Sequence, residues 1–319
     1  MRSVHVIIVS WNSSGQLLDC LRSFRHVAED RVVLAAVTVV DNASDDDSMD
    51  LTSEHFDSIP LRIIRNSQNI GFAAACNQGA AGLVSDFLLF LNPDTELCAG
   101  SLERPVDFLG QPSNQSVGIV GVQLLDARGK VTRSCARRPT AMSMIAQCLG
   151  LDRLVPSLFP AHFESERSHK EVCEVDQVMG AFLFIRRSLF VDLGGFDRRF
   201  FVYFEDLDLS LRARDSGWTS VYLTTARAIH HGCGSTDAIR ARRLFYFGRS
   251  RILFCLKYFK MWEAVAVIVA TLLVEPAVRA AVAIATLRFA QLLAIIQGYG
   301  RLWLNLSQIV GAYMRITHA

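Results

Sequence analysis

The chain has 319 residues, of which 51% are hydrophobic, and it carries 33 basic and 31 acidic residues. A chain of this length can bury a large core, as one big domain or as one domain with a tail. The near balance of charge gives no reason to expect a nucleic-acid binder. None of the 8 cysteines forms a CxxC pair, which argues against a zinc site and fits a reducing cytosol.

The first hundred residues alternate between strand and helix patterns. Apolar residues at helical spacing follow Ser13 or Ser14, and Gly71 opens an Ala-rich helix. The first apolar run is short and no small-residue cleavage site follows it, so we interpret it as a strand and not as a signal peptide. The alternation indicates an open, mostly parallel α/β sheet flanked by helices, of the Rossmann-like kind. Continuous apolar runs predict its buried strands at residues 4–10, 34–40, 61–64 and 87–91.

The middle of the chain, from about residue 110 to residue 173, is less regular and rich in proline. We predict a strand at residues 117–122. The segment after it either contributes to an acceptor site or is an uninformative insertion. A further strand is predicted at residues 175–186, followed by a short helix that ends in Gly194-Gly195.

Residues 240–260 mix arginine and lysine with aromatic side chains. This composition predicts a basic amphipathic helix beside a membrane or a phosphate, and the alternative is an ordinary solvated helix face.

The C-terminal region is strongly apolar. Residues 264–274 are too few to span a bilayer, and Glu275-Pro276 is expected to break the run. Residues 277–296 contain Arg279 and Arg288, which are costly inside a membrane. We therefore expect helices that lie in the membrane interface or pack on the rest of the protein, and not membrane spans.

Polar residues follow the predicted strands, at the edge where open α/β sheets bind their ligands. Asp41 ends the second strand. It either accepts a hydrogen bond from the imide N–H of uracil or thymine, or forms a helix cap or Asx turn. Asn69 and Gly71 precede a helix whose free N–H groups suit a phosphate, although helices of this kind are common.

Three further motifs carry groups that suit catalysis or metal binding. Asn92-Pro93-Asp94 ends the fourth strand, and Asp94 is either a ligand to a nucleotide-bound divalent metal or part of a plain Asn-Pro turn. His230 lies beside a Gly-rich loop and could complete the metal shell, although a lone histidine is more often structural. Glu205-Asp206 opens a helix, where the macrodipole favours carboxylates, and it can alternatively supply a general base.

These motifs resemble those of the inverting family-two glycosyltransferases with a GT-A fold, particularly the bacterial rhamnosyltransferase-like branch. The resemblance covers roughly residues 4–251. The family's Asp-x-Asp metal motif has Asn92 at its first position here, which leaves Asp94 as the main carboxylate. The Gln-x-x-Arg-Trp motif of processive synthases is absent, which favours transfer of a single sugar. The motifs are, in order, Val9-Ser10-Trp11-Asn12, Asp41-Asn42-Ala43-Ser44, Asn69-Ile70-Gly71-Phe72-Ala73 with Asn77-Gln78-Gly79, Leu91-Asn92-Pro93-Asp94, Gly180-Ala181, Gly194-Gly195-Phe196-Asp197 and Phe204-Glu205-Asp206-Leu207-Asp208 with Arg212.

The resemblance implies a role for each of these positions. Asp206 would be the catalytic base, with Glu205 as its neighbour or as an acceptor contact. Asp94 and His230 would hold Mg²⁺ or Mn²⁺. The acceptor side would include Gly180, Ala181, Arg212 and Arg249. The nucleotide-sugar donor would be bound by Ser10, Trp11, Asn12, Asp41, Asn69, Gly71, Phe72, Asn77, Asn92 and Asp94.

The resemblance also implies a domain organisation. Residues 1–260 are expected to form the GT-A domain, with a nucleotide-binding half at about 1–110 and an acceptor-binding half at about 111–260. Residues 261–319 are expected to form the helical tail at the membrane interface.

The reaction implied is the inverting transfer of one sugar, rhamnose from dTDP-rhamnose, to a saccharide or polyprenyl-diphosphate-linked acceptor. This places the protein in cell-surface polysaccharide synthesis, in the cytoplasm at the inner face of the membrane, with homo-oligomerisation left open. The alternatives are a UDP- or GDP-sugar donor, a non-catalytic nucleotide-sugar-binding scaffold, and a nucleotidyltransferase. The intact acidic set argues against the scaffold, and the lack of an N-terminal Gly-rich loop with a Lys or Arg argues against the nucleotidyltransferase.

Overall fold

The computed structural model describes residues 1–27, 31–49, 56, 59–82, 84–132, 134–160, 162, 171–232 and 237–314. The chain divides into two compact units. The first contains Met1–Arg137, Phe163–Arg198 and Glu205–Cys233, and the second contains Arg138–His162, Arg199–Phe204 and Gly234–Ala319. Residues 234–260 thus group with the C-terminal tail by their contacts, whereas the domain boundary at residue 260 stays a prediction.

The first unit contains all the described strands. They are β1 Arg2–Ser10, β2 Val32–Asp41, β3 Leu61–Arg65, β4 Phe87–Leu91, β5 Thr95–Leu97, β6 Val117–Leu125, β7 Cys135–Ala136, β8 Cys173–Val175, β9 Gln177–Val178, β10 Phe182–Arg186 and β11 Thr219–His230. Except for the small β7–β9 pair, they form one sheet in the order β3-β2-β1-β4-β10-β6-β11-β5, with β8 also paired to β11.

The sheet is mixed but mostly parallel around β1. This strand pairs in parallel with β2 and with β4, and β2 pairs in parallel with β3. β10 runs antiparallel between β4 and β6, and β5 runs antiparallel to β11. The predicted open α/β sheet is therefore confirmed. Because β2 and β4 lie on opposite sides of β1, the chain reverses its winding there, and such a switch point opens a ligand crevice at the carboxyl ends of the strands.

The helices are α1 Ser14–Arg22, α2 Phe72–Ala80, α3 Glu103–Gly110, α4 Ala141–Leu149, α5 Leu151–Leu154, α6 Arg187–Asp192, α7 Glu205–Asp215, α8 Asp237–Tyr258, α9 Met261–Val269, α10 Glu275–Ala285, α11 Phe289–Leu304 and α12 Leu306–Met314. Of these, α1–α3, α6 and α7 belong to the first unit and the others to the second. Short 3₁₀ turns cover Ser23–His26 and Pro112–Asn114, and a π-helical turn covers Ala270–Val274.

The burial of alternate residues on opposite faces explains why β1 is apolar from Val4 to Val9, apart from His5. Val6 and Ile8 lie in the core cluster that contains Leu17 of α1. Ile7 and Val9 lie in a second cluster, which contains Ala73 of α2. Both faces of this strand are therefore covered, as expected for a parallel sheet with helices on each side.

One predicted strand is interrupted. The sequence predicts a single strand over residues 175–186, but β8 ends at Val175, β9 covers Gln177–Val178 and β10 begins at Phe182. Gly180 lies in the gap, where its N–H donates to the Asp206 carboxylate and not to a neighbouring strand. A side-chain contact from a distant part of the chain thus takes the place of sheet pairing.

The predicted break at Glu275-Pro276 is wrong. The helix runs continuously from Met261 to Ala285, and by length and composition alone this is the one described helix that could cross a membrane. The π-helical turn Ala270–Val274 directly precedes Pro276, which sits in the first turn of α10. The wider turn leaves Pro276 at the start of the next regular segment, where the clash and the absent N–H of proline are tolerated, so the chain continues through it.

The second unit has a buried ion-pair network. Arg251 of α8 is 1% exposed and donates to Glu275 Oε2 at 2.6 Å, and Arg279 contacts Oε1 of the same carboxylate at 2.7 Å. Burial favours a raised pKa, but the two guanidinium charges hold the pKa of Glu275 below its usual range. Arg251 also donates to Gln147 of α4 at 3.1 Å. The basic residues of α8 therefore do not all form a solvated or membrane-facing surface, since Arg251 is an internal cross-link.

Candidate active site

Two loops at the carboxyl ends of β1 and β2 are tied together. Asn12 has a positive φ of 53°, and its N–H donates to Ser44 Oγ at 2.9 Å. Its side-chain oxygen accepts from the N–H of Asp45 at 2.8 Å. Ser10 is completely buried, with its hydroxyl 3.3 Å from Ser13 Oγ, while Trp11 is 40% exposed. The loop predicted to hold a nucleotide base is thus rigidly placed beside the end of β2.

Asp41 is positioned by the sheet and partly used by its own loop. It pairs in register with Ser10 and is 7% exposed. One carboxylate oxygen, Oδ1, accepts the N–H of Ser44 at 3.1 Å, so the Asx-type turn is present. A contact from the same carboxylate to a base stays a prediction.

Asn42 connects the end of β2 to the loop before α2, a role that was not predicted from the sequence. It is 2% exposed, its Oδ1 accepts the N–H of Ile70 at 3.1 Å, and its Nδ2 donates to Asn69 Oδ1 at 3.0 Å. Asn69 Oδ1 also accepts the N–H of Gly71 at 2.9 Å. The Gly71 N–H is thus engaged by Asn69, while phosphate binding by the N–H groups at the start of this helix stays a prediction. The signal for the connection was Asn42 itself, a buried amide directly after a strand, which needs partners.

Asn77 was expected to bind the donor, but its amide holds a loop. Its Oδ1 accepts the N–H of Phe196 and its Nδ2 donates to the carbonyl of the same residue, both at 2.8 Å. The neighbouring Gly195 has a φ of 77°, and a Cβ there would lie 2.6 Å from Asn77 Oδ1. Phe72 packs edge-to-face on Phe196 at 6.4 Å between ring centroids. Helix α2 therefore clamps the loop before α7.

Arg212 was expected on the acceptor side; its described contacts are to protein groups, and an acceptor contact stays a prediction. Its Nε pairs with the fully buried Asp208 at 2.8 Å. Its Nη1 and Nη2 donate to the carbonyls of Leu193 and Gly195, both at 2.8 Å. Nη1 and Nη2 thus hold the same loop as Asn77 does, while Nε pairs with Asp208 of the same helix.

Arg249, the other predicted acceptor contact, belongs to the second unit. Its Nη1 donates to the carbonyl of Arg199 at 2.9 Å, and burial lowers its pKa from the ordinary value. Its described contact is therefore to the backbone of its own unit.

Asp94 and His230 come together because β5 pairs with β11. In this register His230 faces Thr95, and His230 Nε2 lies 3.3 Å from Asp94 Oδ1. The carbonyl of Asp94 accepts the N–H of His231 at 3.0 Å. Asp94 is 4% exposed. Two residues that are far apart in sequence, and that were predicted as metal ligands, are thus neighbours.

The donor set fits only one kind of metal site. Among the residues that the structure describes, no group of three or more His, Cys, Asp or Glu side chains could hold a metal ion. A metal that is bound to a diphosphate needs one or two protein ligands, because phosphate and water supply the others. An aspartate oxygen beside an imidazole nitrogen therefore fits a metal that arrives with a nucleotide, and does not fit a resident ion held by protein alone.

Asp206 lies in the first turn of α7, where two backbone N–H groups orient its carboxylate. Oδ2 accepts from Gly180 at 2.9 Å, and Oδ1 accepts from Leu207 at 2.8 Å. Ala181, which follows Gly180 in the chain, accepts through its carbonyl the N–H of Asn92 at 3.1 Å. The two motifs that carry Asp94 and Asp206 are therefore both hydrogen-bonded to the same pair of adjacent residues.

Glu205 differs sharply from its neighbour. It is 5% exposed, and its Oε2 has no hydrogen-bond partner among the described residues. Burial, together with the charges of Asp206 and Asp208, raises the pKa of Glu205 well above its usual range. Burial leaves the Glu205 side chain little access to an acceptor, and both roles expected for it stay predictions.

Comparison with known proteins agrees with this fold and motif set. Residues 5–194 match the model of the family described as Glycosyl transferase family 2, which is more than half of the chain. The chain belongs to that family. Asp206 and His230 lie beyond the matched residues, so the family match does not by itself assign them.

Two relatives are similar to this chain in sequence, and one solved structure is similar to it in fold. The chain is 27% identical over 270 residues to the N-acetylglucosaminyl-diphospho-decaprenol L-rhamnosyltransferase of Mycobacterium tuberculosis, covering 80% of this chain and 84% of that protein. Rhamnosyltransferase WbbL of Escherichia coli is 26% identical over 147 residues, 46% of this chain and 52% of WbbL. The mannosyltransferase PcManGT from Pyrobaculum calidifontis, solved with GDP-Man and Mn²⁺, has a TM-score of 0.54 and 18% identity over 98% of this chain and 85% of that chain, which shows a shared fold.

Replacing Glu205 with Gln should change how stability depends on pH. A carboxyl whose folded pKa is raised contributes stability that is fully present below its unfolded pKa, about 4.5, and that is lost as pH rises through the folded pKa. The amide cannot ionise, so the free energy of unfolding of the variant, relative to wild type, should rise between pH 4.5 and pH 8. Urea unfolding across this range measures it, with the exposed Glu171→Gln as the control that shows no such trend. A difference that stays constant with pH would contradict the buried neutral acid.

Proposed function

We propose that this family-two glycosyltransferase transfers a single L-rhamnose from dTDP-rhamnose to a lipid-linked saccharide, with inversion at the anomeric carbon. The observation that carries the proposal is the junction at Gly180 and Ala181, which is hydrogen-bonded both to Asp206 and to the Asn92-Pro93-Asp94 turn. An inverting transferase needs a base for the acceptor hydroxyl and a site for the leaving diphosphate, and this junction links one candidate for each.

The relatives support the sugar and the acceptor class. Both of the named curated relatives are rhamnosyltransferases, and the mycobacterial one acts on N-acetylglucosaminyl-diphospho-decaprenol. The same fold also occurs in an enzyme solved with GDP-Man, so the fold alone does not select the nucleotide. A UDP- or GDP-sugar donor is therefore the second candidate. A lipid-linked acceptor favours action at the inner face of the cell membrane.

The chemistry assigned to Asp206 follows from its geometry. Backbone N–H groups fix both carboxylate oxygens, and the start of α7 favours a negative charge. As the acceptor oxygen attacks the anomeric carbon, its proton passes to Asp206. The new C–O bond forms on the face opposite to the breaking bond, whose electrons leave with the diphosphate, and the configuration inverts. The raised pKa of Glu205 favours its neutral form, which avoids a second carboxylate charge beside Asp206.

The leaving group is assigned to the turn after β4. Asp94 and His230 would hold Mg²⁺ or Mn²⁺ together with the donor diphosphate, and the ion would neutralise the charge that develops on it. Burial of Asp94 limits competition from water for this carboxylate. The loops at Ser10–Asn12 and at Asp41 would hold the nucleobase and the ribose of the donor.

Replacement of Asp206 by Asn should lower kcat by about 10²- to 10⁴-fold, because the amide cannot accept the proton. The dissociation constant for the donor should stay within about twofold, since the side chain keeps its shape. Steady-state kinetics and calorimetric donor titration measure the two effects. Asp215→Asn, at the exposed end of the same helix, is the matched control and should retain wild-type turnover. Near-wild-type kcat in the Asp206 variant would reject this residue as the base.

The metal assignment is tested by two adjacent histidines. His230→Ala and Asp94→Asn should each weaken Mn²⁺-dependent binding of dTDP by at least about tenfold, as measured by calorimetry. His231→Ala should not, because His231 Nε2 pairs with Glu96 at 2.6 Å and not with Asp94. If wild-type protein binds dTDP equally well with Mn²⁺ and with a chelator, the metal role is wrong.

The donor is tested by a panel of nucleotide sugars with Mg²⁺ and Mn²⁺. We expect hydrolysis or transfer with dTDP-rhamnose at least about tenfold faster than with any UDP- or GDP-sugar, and a product of inverted anomeric configuration by NMR. Faster turnover of a UDP- or GDP-sugar would favour the second candidate. Binding of nucleotide sugars with no turnover of any of them would point to a non-catalytic protein.

A further inference from the structure

The long helix Met261–Ala285 buries two polar side chains together with apolar ones such as Val267, and it exposes a row of apolar side chains. Thr271 and Glu275 are 0% and 3% exposed, one turn apart on the inner side. Val265, Val269 and Leu273 are 49%, 46% and 52% exposed, and they repeat every four residues on the other side. A helix on the surface of a water-soluble protein shows the reverse arrangement.

A second apolar row lies on α11. Leu293 and Ile296 are 57% and 61% exposed, and Trp303, near the end of the helix, is 51% exposed. The indole N–H of Trp303 donates to the carbonyl of Leu272 at 3.2 Å, so Trp303 lies next to Leu273. The two rows therefore meet. We call them together the outer apolar face, defined by Trp262, Val265, Val269, Leu273, Leu293 and Trp303.

The charges on these helices are of one kind where they reach solvent. Lys260, Arg288 and Arg301 are exposed. Among the described residues from 260 to 314, the acidic side chains are Glu263 and Glu275. Glu263 is half-buried and accepts the N–H of Lys260 at 3.1 Å, and Glu275 is buried between two arginines. The three exposed charges on or next to these helices are thus positive, which complements an anionic surface.

We propose that the outer apolar face docks on the surface of an anionic lipid bilayer, with α9, α10 and α11 lying along the interface. Trp262 and Trp303 suit the headgroup level, where tryptophan is enriched. With 16 residues α11 is about 24 Å long, shorter than the hydrocarbon core of about 30 Å. The longer helix is held to α8 through Glu275 and Arg251, which favours surface docking over a span for both. Only the purpose of docking, to meet a lipid-linked acceptor, rests on the proposed function.

The test is flotation of the full chain with vesicles of phosphatidylcholine alone or with phosphatidylglycerol, without nucleotide sugar. Wild-type protein should bind, and bind more tightly with phosphatidylglycerol. Leu273→Glu should weaken binding by about tenfold or more, because it places a charge in the apolar row. Arg301→Gln should weaken binding to phosphatidylglycerol vesicles by about fivefold and leave binding to phosphatidylcholine unchanged, because Lys260 and Arg288 remain. The control is Val84→Glu, the same kind of change at an 83% exposed position of the first unit, which should bind as wild type does.

Four results would overturn the proposal. The first is a wild-type chain that binds neither vesicle, and the second is an equal loss of binding in the Val84 and Leu273 variants. The third is retention in membranes after alkaline carbonate extraction, which indicates a membrane span. The fourth is a dimer that Leu273→Glu dissociates while vesicle binding is unchanged. Circular dichroism and thermal melting confirm that each variant is folded. Since no donor is present, vesicle binding can fail while sugar transfer stands, and the converse also holds.

Discussion

Two hydrogen bonds made by adjacent residues connect the parts of the proposed active site. Gly180 donates to Asp206 and Ala181 accepts from Asn92, in the segment between β9 of the small pair and β10 of the main sheet. The bond from Asn92 to Ala181 extends the antiparallel pairing of β4 with β10 by one residue. Gly180, one residue earlier, is outside the strands, and its N–H brings the start of α7 to the carboxyl end of β4, beside the switch point of the sheet.

The elements of the sheet could be predicted from the sequence because both faces of the central strands are buried. A run such as β1, which is buried and apolar from Val4 to Val9 apart from His5, has few alternatives. Two predictions about helices and strands were wrong, each for a reason that the local sequence pattern does not show. The strand predicted over 175–186 is interrupted by a contact to Asp206 that no local pattern announces. The helix Met261–Ala285 passes through Pro276 because a π-helical turn absorbs the proline, and apolar periodicity does not show this.

Part of the candidate site could be predicted from the sequence. The residues whose contacts differ from expectation are those that hydrogen-bond to the protein backbone. Asp94 and His230 were expected together, and the pairing of β5 with β11 makes them neighbours. Asn77 and Arg212 were expected at ligands, but their hydrogen bonds go to backbone groups around Gly195. Motif position shows that a polar residue is needed, but it does not show whether the partner is a ligand or a loop. That distinction depends on backbone atoms more than a hundred residues away in the case of Asn77.

The central claim is that the carboxylates of Asp94 and Asp206 serve one reaction site. It is tested most directly by a crystal structure of the full chain with Mn²⁺ and an unreactive analogue of dTDP-rhamnose. We predict that Asp94 contacts the ion on the diphosphate, and that an oxygen of Asp206 faces the anomeric carbon from the side opposite to the leaving group. A nucleotide bound at the end of β1 whose sugar points away from Asp206, or a metal bound without Asp94, would contradict it.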